Sequence, residues 1–504
     1  MMTATADMTA RLMVGMEIHV ELATRSKMFT SAPNVAHPDF HDAQPNTLLD
    51  PVVIGMPGAL PVVNRSAVEM SMLVGLALHC SIAPVTKWDR KSYYYPDLPK
   101  NYQISQYDQP LCSDGYLEIP DGSGDKAGSK RIRILRAHLE EDAGKLQHEA
   151  PGGRPIDYSI VDLNRAGTPL LEIVTEPDFT TAEQAVTFGQ MLRQICRFLG
   201  VTEGVMQKGH IRFEPNINMI IERNGREHRT PIVEIKNLNS FKAVHGAIEF
   251  ERQRQVDAWL ETGVEMESGT KSTRGWDDDR GVTFLQREKE EAHDYRYFPD
   301  PDLLPVVISR EWVEAVRAKM PVMPAEREQA YVSLGVSAID AKNLAAEPGL
   351  SAFFDAILAM KIDAKRAAAM LLNYGAKRAN ERGCEIDELG VTAEQIGGIV
   401  AMLDADKISS SAADELFGHC CESPGVAADQ LAETHGLVQV SDTGALDGFI
   451  DQVLADAKNA RAVDDLKAGK GKAVGALIGQ VMKLSQGKAN PKMVGQMIQD
   501  RFKG

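Results

Sequence analysis

The run Glu17-Ile18-His19-Val20-Glu21 alternates two carboxylates and an imidazole with two apolar residues. On an extended strand this alternation puts Glu17, His19 and Glu21 on one face and Ile18 and Val20 on the other. Such donors suit Mg2+ or Mn2+ with coordination positions left open to water. The same pattern also describes the solvated face of an antiparallel sheet. Two further clusters share the composition: His138-Leu139-Glu140-Glu141-Asp142, ahead of Gly144-Lys145, and Asp162-Leu163-Asn164-Arg165, which leads into Leu170-Leu171-Glu172-Ile173-Val174. An unpaired carboxylate among apolar neighbours costs several kcal/mol, so Glu172 requires a cation. A metal would supply one; Arg165 is the side-chain alternative.

Residues 87–110 hold five of the eleven tyrosines (Tyr93, Tyr94, Tyr95, Tyr102, Tyr107) beside Lys87, Arg90, Lys91 and Lys100. Rings stack on nucleobases and cations neutralise phosphate oxygens. A loop whose tyrosines pack at one end and hydrogen-bond at the other has the same composition. A further tract, Asp294 to Asp302, adds acidic and aromatic groups. At the far end, residues 466–504 carry Lys467, Lys470, Lys472, Lys483, Lys488, Lys492, Arg501 and Lys503 against Asp500 alone, in a chain of net charge −16. A basic tail on an acidic protein is the pattern of one local polyanion contact, or of a solvated helical face. The overall charge argues against indiscriminate nucleic-acid binding.

Several chemistries are excluded by motif. No GxxxxGK[ST] loop occurs, Gly144-Lys145, Gly471-Lys472 and Gly487-Lys488 being followed by Leu or Ala; HExxH and GxSxG are also missing. Phosphate handling would therefore fall to side chains and metal. The six cysteines form no CxxC pair, consistent with a reducing cytosol and no structural zinc. No apolar run reaches the roughly 18–20 residues of a membrane span, and MMTATADMTARLM has no apolar signal core. The expected compartment is the cytoplasm, an organelle being the alternative.

At 504 residues the chain is long enough for about two to four domains. Residues 10–305 alternate β-type runs with turn residues: Val14–Leu22, Arg131–Leu135, Ser159–Leu163, Leu170–Thr175, Ile211–Ile221 and Ile232–Ile235. Helical periodicity interrupts them at Ser66–His79, Thr181–Leu199 and Ala243–Thr262. The pattern predicts an α+β protein with a large sheet-based domain. Beyond Pro305 the chain turns Ala-, Leu- and Glu-rich, predicting a helical domain over 306–425, a connection at Pro424–Gly436 and a small helical tail domain over 436–504.

These stretches together resemble the B subunit of glutamine-dependent aspartyl/glutamyl-tRNA amidotransferase. The resemblance is carried by VGMEIHVEL (14–22), MPGALPVVN (56–64), WDRKSYYYPDLPKNYQISQYDQP (88–110), LEEDAGK (139–145), DLNRAGTPLLEIV (162–174), EIKNLNSF (234–241), DYRYFPDPD (294–302) and the tail segment 469–491. It covers nearly the whole chain and leaves no room for the large insertion of the archaeal GatE relative. The resemblance implies a C–N-forming ligase that uses ATP and Mg2+ to phosphorylate the side-chain carboxylate of Glu or Asp mischarged on tRNA. Ammonia from a partner amidase (A) subunit then displaces phosphate, and a small C subunit completes the complex.

Mapped onto this chain, the resemblance implies metal ligands at His19, Glu141 and Glu172 with Glu17 nearby. Lys91 and Lys100 fall to the ATP phosphates and Tyr93 and Tyr95 to the pocket wall. Glu17, Lys91, Lys100 and Glu172 are thus the candidate catalytic residues, with Glu234, Lys236 and Asn237 in the same cradle. Strict alternation gives Glu141 the face of Ala137 and Leu139, not that of His138 and Glu140, so the mapping requires a bulge or strand end near 140. Three segments depart from the family pattern. Arg212-Phe213-Glu214-Pro215-Asn216 replaces a Cys-Asp-Ala-Asn-like segment, Asp50-Pro51-Val52-Val53 lacks the CxxC of some relatives, and Ser409-Ser410-Ser411-Ala412 replaces a stretch often bearing lysine. Two other functions fit parts of the pattern: a non-catalytic tRNA-binding scaffold, and a metal-dependent hydrolase built on the same acids.

Overall fold

The computed structural model describes residues 8–122, 128–150, 153–267, 270–288, 295–439, 443–467, 471–485 and 489–502. The chain divides into two compact units, the first ending at Met323 and the second beginning at Pro324.

Among the described residues the first unit is built on a thirteen-stranded sheet. The strands that position the site are β1 (Met8–Glu21), β2 (Asp89–Ser92), β3 (Tyr102–Ser105), β4 (Cys112–Asp121), β5 (Gly128–Glu141), β6 (Pro169–Thr175), β7 (Ile211–Arg223), β8 (Val233–Lys236), β9 (Ser272–Asp277), β10 (Val282–Glu288) and β11 (Phe298–Pro299). They lie in the order β10-β9-β8-β7-β1-β6-β5-β3-β2-β11, with β4 also on β5. Pairing is antiparallel except between β8 and β9. One face of β1 is fully apolar: Leu12, Val14, Met16, Ile18 and Val20 are all buried. It joins Ile173 and Leu171 of β6, Ala137 and Leu139 of β5, and Ile211, Phe213 and Ile217 of β7 in one core.

Helices α1 (Arg65–Ala77), α2 (Ala182–Phe198) and α3 (Phe241–Thr262) contribute to that core. Each starts at a side-chain cap: Asn64, Thr181 and Ser240 accept from the amides of Ser66, Gln184 and Ala243 at 2.9, 3.2 and 3.1 Å. A Cβ at Gly189 would stand 2.8 Å from the Phe241 ring, so glycine allows α2 and α3 to close on each other. A fourth helix, α4 (Arg310–Arg317), also belongs to this unit. Val316 is buried in the same core, Trp312 Nε1 donates to Glu69 at 3.0 Å and Lys319 pairs with Glu69 at 2.8 Å. The change of composition near Pro305 thus precedes the structural division by a helix.

The second unit is helical over its described residues and holds two apolar clusters. One gathers Phe354, Ile357, Leu371, Ile396, Ile399, Leu416, Phe417 and Cys420; the other gathers Leu446, Ile450, Leu477, Val481, Val494 and Ile498. The stretch read as a connection contains a helix, Ala428–Thr434, whose Ala428, Leu431 and Ala432 are buried in the first cluster. Their i, i+3, i+4 spacing is the reason.

Candidate active site

β1 lies between β6 and β7, and the register determines what each strand presents. His19 stands opposite Glu172 of β6 and Arg212 of β7, and Glu172 opposite His138 of β5. Glu140 shares the face of His138 and pairs with Ser105 of β3. The side chains converge. His19 Nε2 is 3.4 Å from Glu172 Oε2 and 4.0 Å from Glu140 Oε1. His138 Nε2 is 3.5 Å from Glu172 Oε2 and 4.0 Å from Glu140 Oε2.

Donor atoms of His19, Glu140 and Glu172 lie within 4.8 Å of one another. Glu140 Oε2 is buried without a hydrogen-bond partner, whereas the unpartnered His19 Nδ1 faces Glu214 Oε1 at 3.9 Å instead. A buried orphan carboxylate oxygen in a group of two carboxylates and an imidazole fits a divalent cation. Burial opposes a charge on His19, but the contact with Glu172 and the charges of Glu214 and Glu172 lift the imidazole to about 9. Burial also opposes the Glu172 carboxylate, which His138, His19 and Lys91 nevertheless hold well below its usual range. Glu140 is raised, by burial and then by the Glu172 charge. Burial, above all, lowers His138 to about 4. A cation bound here would therefore release a proton from His19.

β2 supplies the opposing charge. Burial works against the Lys91 ammonium, yet Glu140 and other neighbours, Glu172 among them, raise its pKa overall. Its Nζ lies 5.1 Å from the Tyr295 ring centre and 5.9 Å from that of Tyr93. Tyr93 meets Tyr95 and Tyr295 edge-on at 6.2 and 6.1 Å, Tyr295 meets Tyr297 at 6.1 Å, and Tyr297 stacks on Tyr107 at 4.3 Å. Arg90 pairs with Asp300 at 2.7 Å and Asp302 at 3.0 Å, fastening the 298–302 segment to β2. The tyrosines around Lys91 thus come from two tracts far apart in sequence, and Asp294 lies outside the described residues.

Glu141 lies elsewhere. β5 continues regularly through Glu141, its register shift with β6 falling at Val174/Thr175. No bulge turns Glu141 towards His19. Its carboxylate is bound by Lys100 and by the Ile104 amide at 3.1 Å. The structure therefore brings His19 and Glu172 together with Glu140 and His138, and pairs Glu141 with Lys100. The alternation of His138 and Glu140 was the signal that could have found them. Arg165 is likewise not the cation for Glu172. It approaches Asp142 at 3.6 Å and donates to the carbonyls of Ala143 and Gly144 at 3.0 and 2.6 Å.

The polar stripe continues across β7 and β8. Asn216 donates to Glu17 at 3.0 Å, and Lys236 pairs with Glu214 at 2.5 Å and Glu234 at 2.8 Å. Asn237 follows with a left-handed backbone, φ 66°. Arg212 binds Asp142 at 2.8 Å and lies 3.7 Å from Glu21, so Glu21 belongs to a separate charged group. Burial, then Asp142, raises Glu21 to about 8. In the second unit Lys467, Lys472 and Lys483 are exposed, and Lys492 pairs with Asp406 at 3.2 Å. Lys470 and Lys488 lie outside the described residues.

Residues 12–314 match the model described as the GatB/GatE catalytic domain, and residues 352–502 match the GatB domain. The chain is 42% identical over 506 aligned positions to the B subunit of the aspartyl/glutamyl-tRNA(Asn/Gln) amidotransferase of Rhodopirellula baltica, covering 99% of each chain. Identity to the corresponding B subunit of Burkholderia ambifaria is 43% over 501 positions, covering 97% of this chain and 99% of the relative. For Listeria welshimeri it is 43% over 492 positions, covering 97% and 98%. The chain belongs to the GatB family, the B subunits of tRNA-dependent, glutamine-dependent amidotransferases of the ligase class. No described helix is long and apolar enough to cross a membrane.

Proposed function

We propose that the β1/β5/β6 cluster activates the side-chain carboxylate of Glu or Asp esterified to a non-cognate tRNA, using ATP, and that the same cradle then amidates it. The observation that carries this reading is the convergence of His19, Glu140 and Glu172 next to Lys91 and its tyrosines. A carboxylate oxygen attacks the γ-phosphorus, the bond to the β,γ-bridging oxygen breaks, and ADP leaves. Ammonia then adds to the acyl carbon, phosphate departs, and a proton is lost to give the amide. Such chemistry depends chiefly on positioning and charge neutralisation.

His19, Glu140 and Glu172 would hold Mg2+, which when bound neutralises phosphate charge. Lys91 meets the phosphate oxygens as a fixed ammonium. Tyr93, Tyr95, Tyr295 and Tyr297 line the pocket and keep water from the acyl phosphate. Lys100, held by Glu141, aligns the tract rather than binding a metal ligand's partner oxygen. The Glu17, Glu214, Lys236 and Glu234 stripe handles the acceptor end or the incoming ammonia. The ammonia comes from an amidase subunit, with a small subunit completing the complex in the cytoplasm. The helical tail from 436 onward contacts tRNA phosphates through its lysines.

ADP release stimulated by mischarged Glu-tRNA tests the reading. Glu172→Gln is expected to abolish the stimulation; turnover near wild type would contradict it. A scaffold role predicts the reverse, with the tail lysines needed and the cluster dispensable.

A further inference from the structure

The loop after β1 and the turn before β7 meet at a group that the activation chemistry does not use. His41 follows the short helix Pro38–Phe40, Glu203 lies in the turn after α2, and His210 immediately precedes β7. One donor atom from each lies within 4.8 Å of the others. Glu203 Oε2 is 3.6 Å from His41 Nδ1 and 3.8 Å from His210 Nδ1. Both separations exceed a hydrogen bond. A tetrahedral ion with bonds of about 2.1 Å spaces its donors by about 3.4 Å, close to what is found. The two rings stand 5.1 Å apart and tilted by 39°, not stacked.

The second nitrogen of His41 is already committed. Its Nε2 is 3.2 Å from the Ala36 carbonyl oxygen. Donating its proton there leaves the Nδ1 lone pair facing the group, which is how outer partners orient metal-binding imidazoles. His210 is buried, whereas the Glu203 side chain is 40% exposed, leaving an approach from solvent.

We propose that His41, Glu203 and His210 bind one divalent ion of the zinc class, with water completing the coordination. Two imidazoles and one carboxylate suit Zn2+ better than Mg2+, which prefers oxygen donors. The site is separate from the Asp50–Val53 segment, where the sequence offers no cysteine pair. Its role is structural: the ion ties two loops to the start of the strand that carries Arg212 and Glu214. Glu21 reaches the same point, its amide donating to the His210 carbonyl at 3.0 Å.

The test uses the full chain, untagged and metal-free, titrated with Zn2+ against a chromophoric chelator and with Co2+ by visible absorption. The Glu172→Gln background takes one carboxylate from the His19 cluster, and the difference between it and the same chain carrying His41→Ala counts the ion at the proposed group. One equivalent of Zn2+ is expected to bind there, with a tetrahedral Co2+ spectrum. Adding His41→Ala or Glu203→Gln should weaken Zn2+ by more than the roughly 100-fold that loss of an outer partner costs. Zn2+ should raise the melting midpoint of the parent and not of these variants, whose metal-free melts show that they fold. No Zn2+ binding in the Glu172→Gln chain, or unchanged affinity after His41→Ala, overturns the proposal.

Discussion

Glu140 and Glu141 lie on opposite faces of one strand: Glu140 Oε1 is 4.0 Å from His19 Nε2, while the Glu141 carboxylate is bound by Lys100. Two adjacent carboxylates therefore have separable roles. Glu140→Gln should lower tRNA-dependent ATP turnover by roughly 100–1,000-fold, as for loss of one positioned electrostatic partner, with an unchanged melting midpoint. Glu141→Gln leaves the buried Lys100 charge without its counter-ion and should destabilise the first unit by about 3 kcal/mol. Turnover assays and denaturant melts on both variants distinguish the roles, and equal turnover losses in the two would contradict this division.

Lys91 faces the carboxylates of the cluster, whereas Lys100 is engaged by Glu141. Lys91→Met is expected to reduce kcat/KM for ATP by roughly 100-fold while leaving tRNA affinity unchanged. A parallel loss of tRNA affinity would place Lys91 in acceptor binding instead.

Glu69 joins α1 to α4 and gives a pH signature. Chiefly the Lys319 contact, against some opposition from burial and with help from Arg65 and Trp312, lowers its pKa from 4.5 to about 2. The unfolded chain takes up a proton at Glu69 before the folded chain does. The resulting stability is fully present above pH 4.5 and is lost as the pH falls towards about 2. The stability difference between wild type and Glu69→Gln should shrink across that window. A pH-independent difference would mean that Glu69 does not titrate with folding.

Lys467, Lys472 and Lys483 are exposed, while Lys492 already holds Asp406. Replacing the first three with Ala should weaken tRNA binding more than ATP turnover. It should also flatten the log–log salt dependence by roughly 0.7–0.9 per lost phosphate contact. Filter binding across a salt series measures this; an unchanged slope would remove these lysines from the interface.

Much of this arrangement is written locally in the sequence. The alternation of residues 17–21 specifies a strand with one polar face, and the apolar setting of Glu172 demands a cation. Which cation it receives depends on register, since His19 comes from the neighbouring strand β1. No local pattern carries that pairing, and Arg165, nearer in sequence, turns to Asp142. Alternation at 138–141 identifies Glu140, whereas the resemblance favoured its neighbour. Tyr295 and Tyr297 join Tyr93 and Tyr107 through the pairing of Phe298–Pro299 with Asp89–Arg90 and the Arg90 pairs with Asp300 and Asp302, none of which is local in sequence. The short helix at 428–434 lies between turn residues, where seven residues give little periodicity to read. His41, Glu203 and His210 come from three separate segments, with no motif spacing between them.

The central claim is that activation and amidation occur on this chain, at His19, Glu140 and Glu172. The most direct measurement supplies the chain and its amidase partner with ATP, Mg2+, Glu-tRNA and ammonium chloride in place of glutamine, and follows Gln-tRNA. Formation of Gln-tRNA by wild type, and its loss in Glu172→Gln with tRNA binding intact, is the predicted result. Undiminished product from Glu172→Gln would contradict it and place the chemistry outside this cluster.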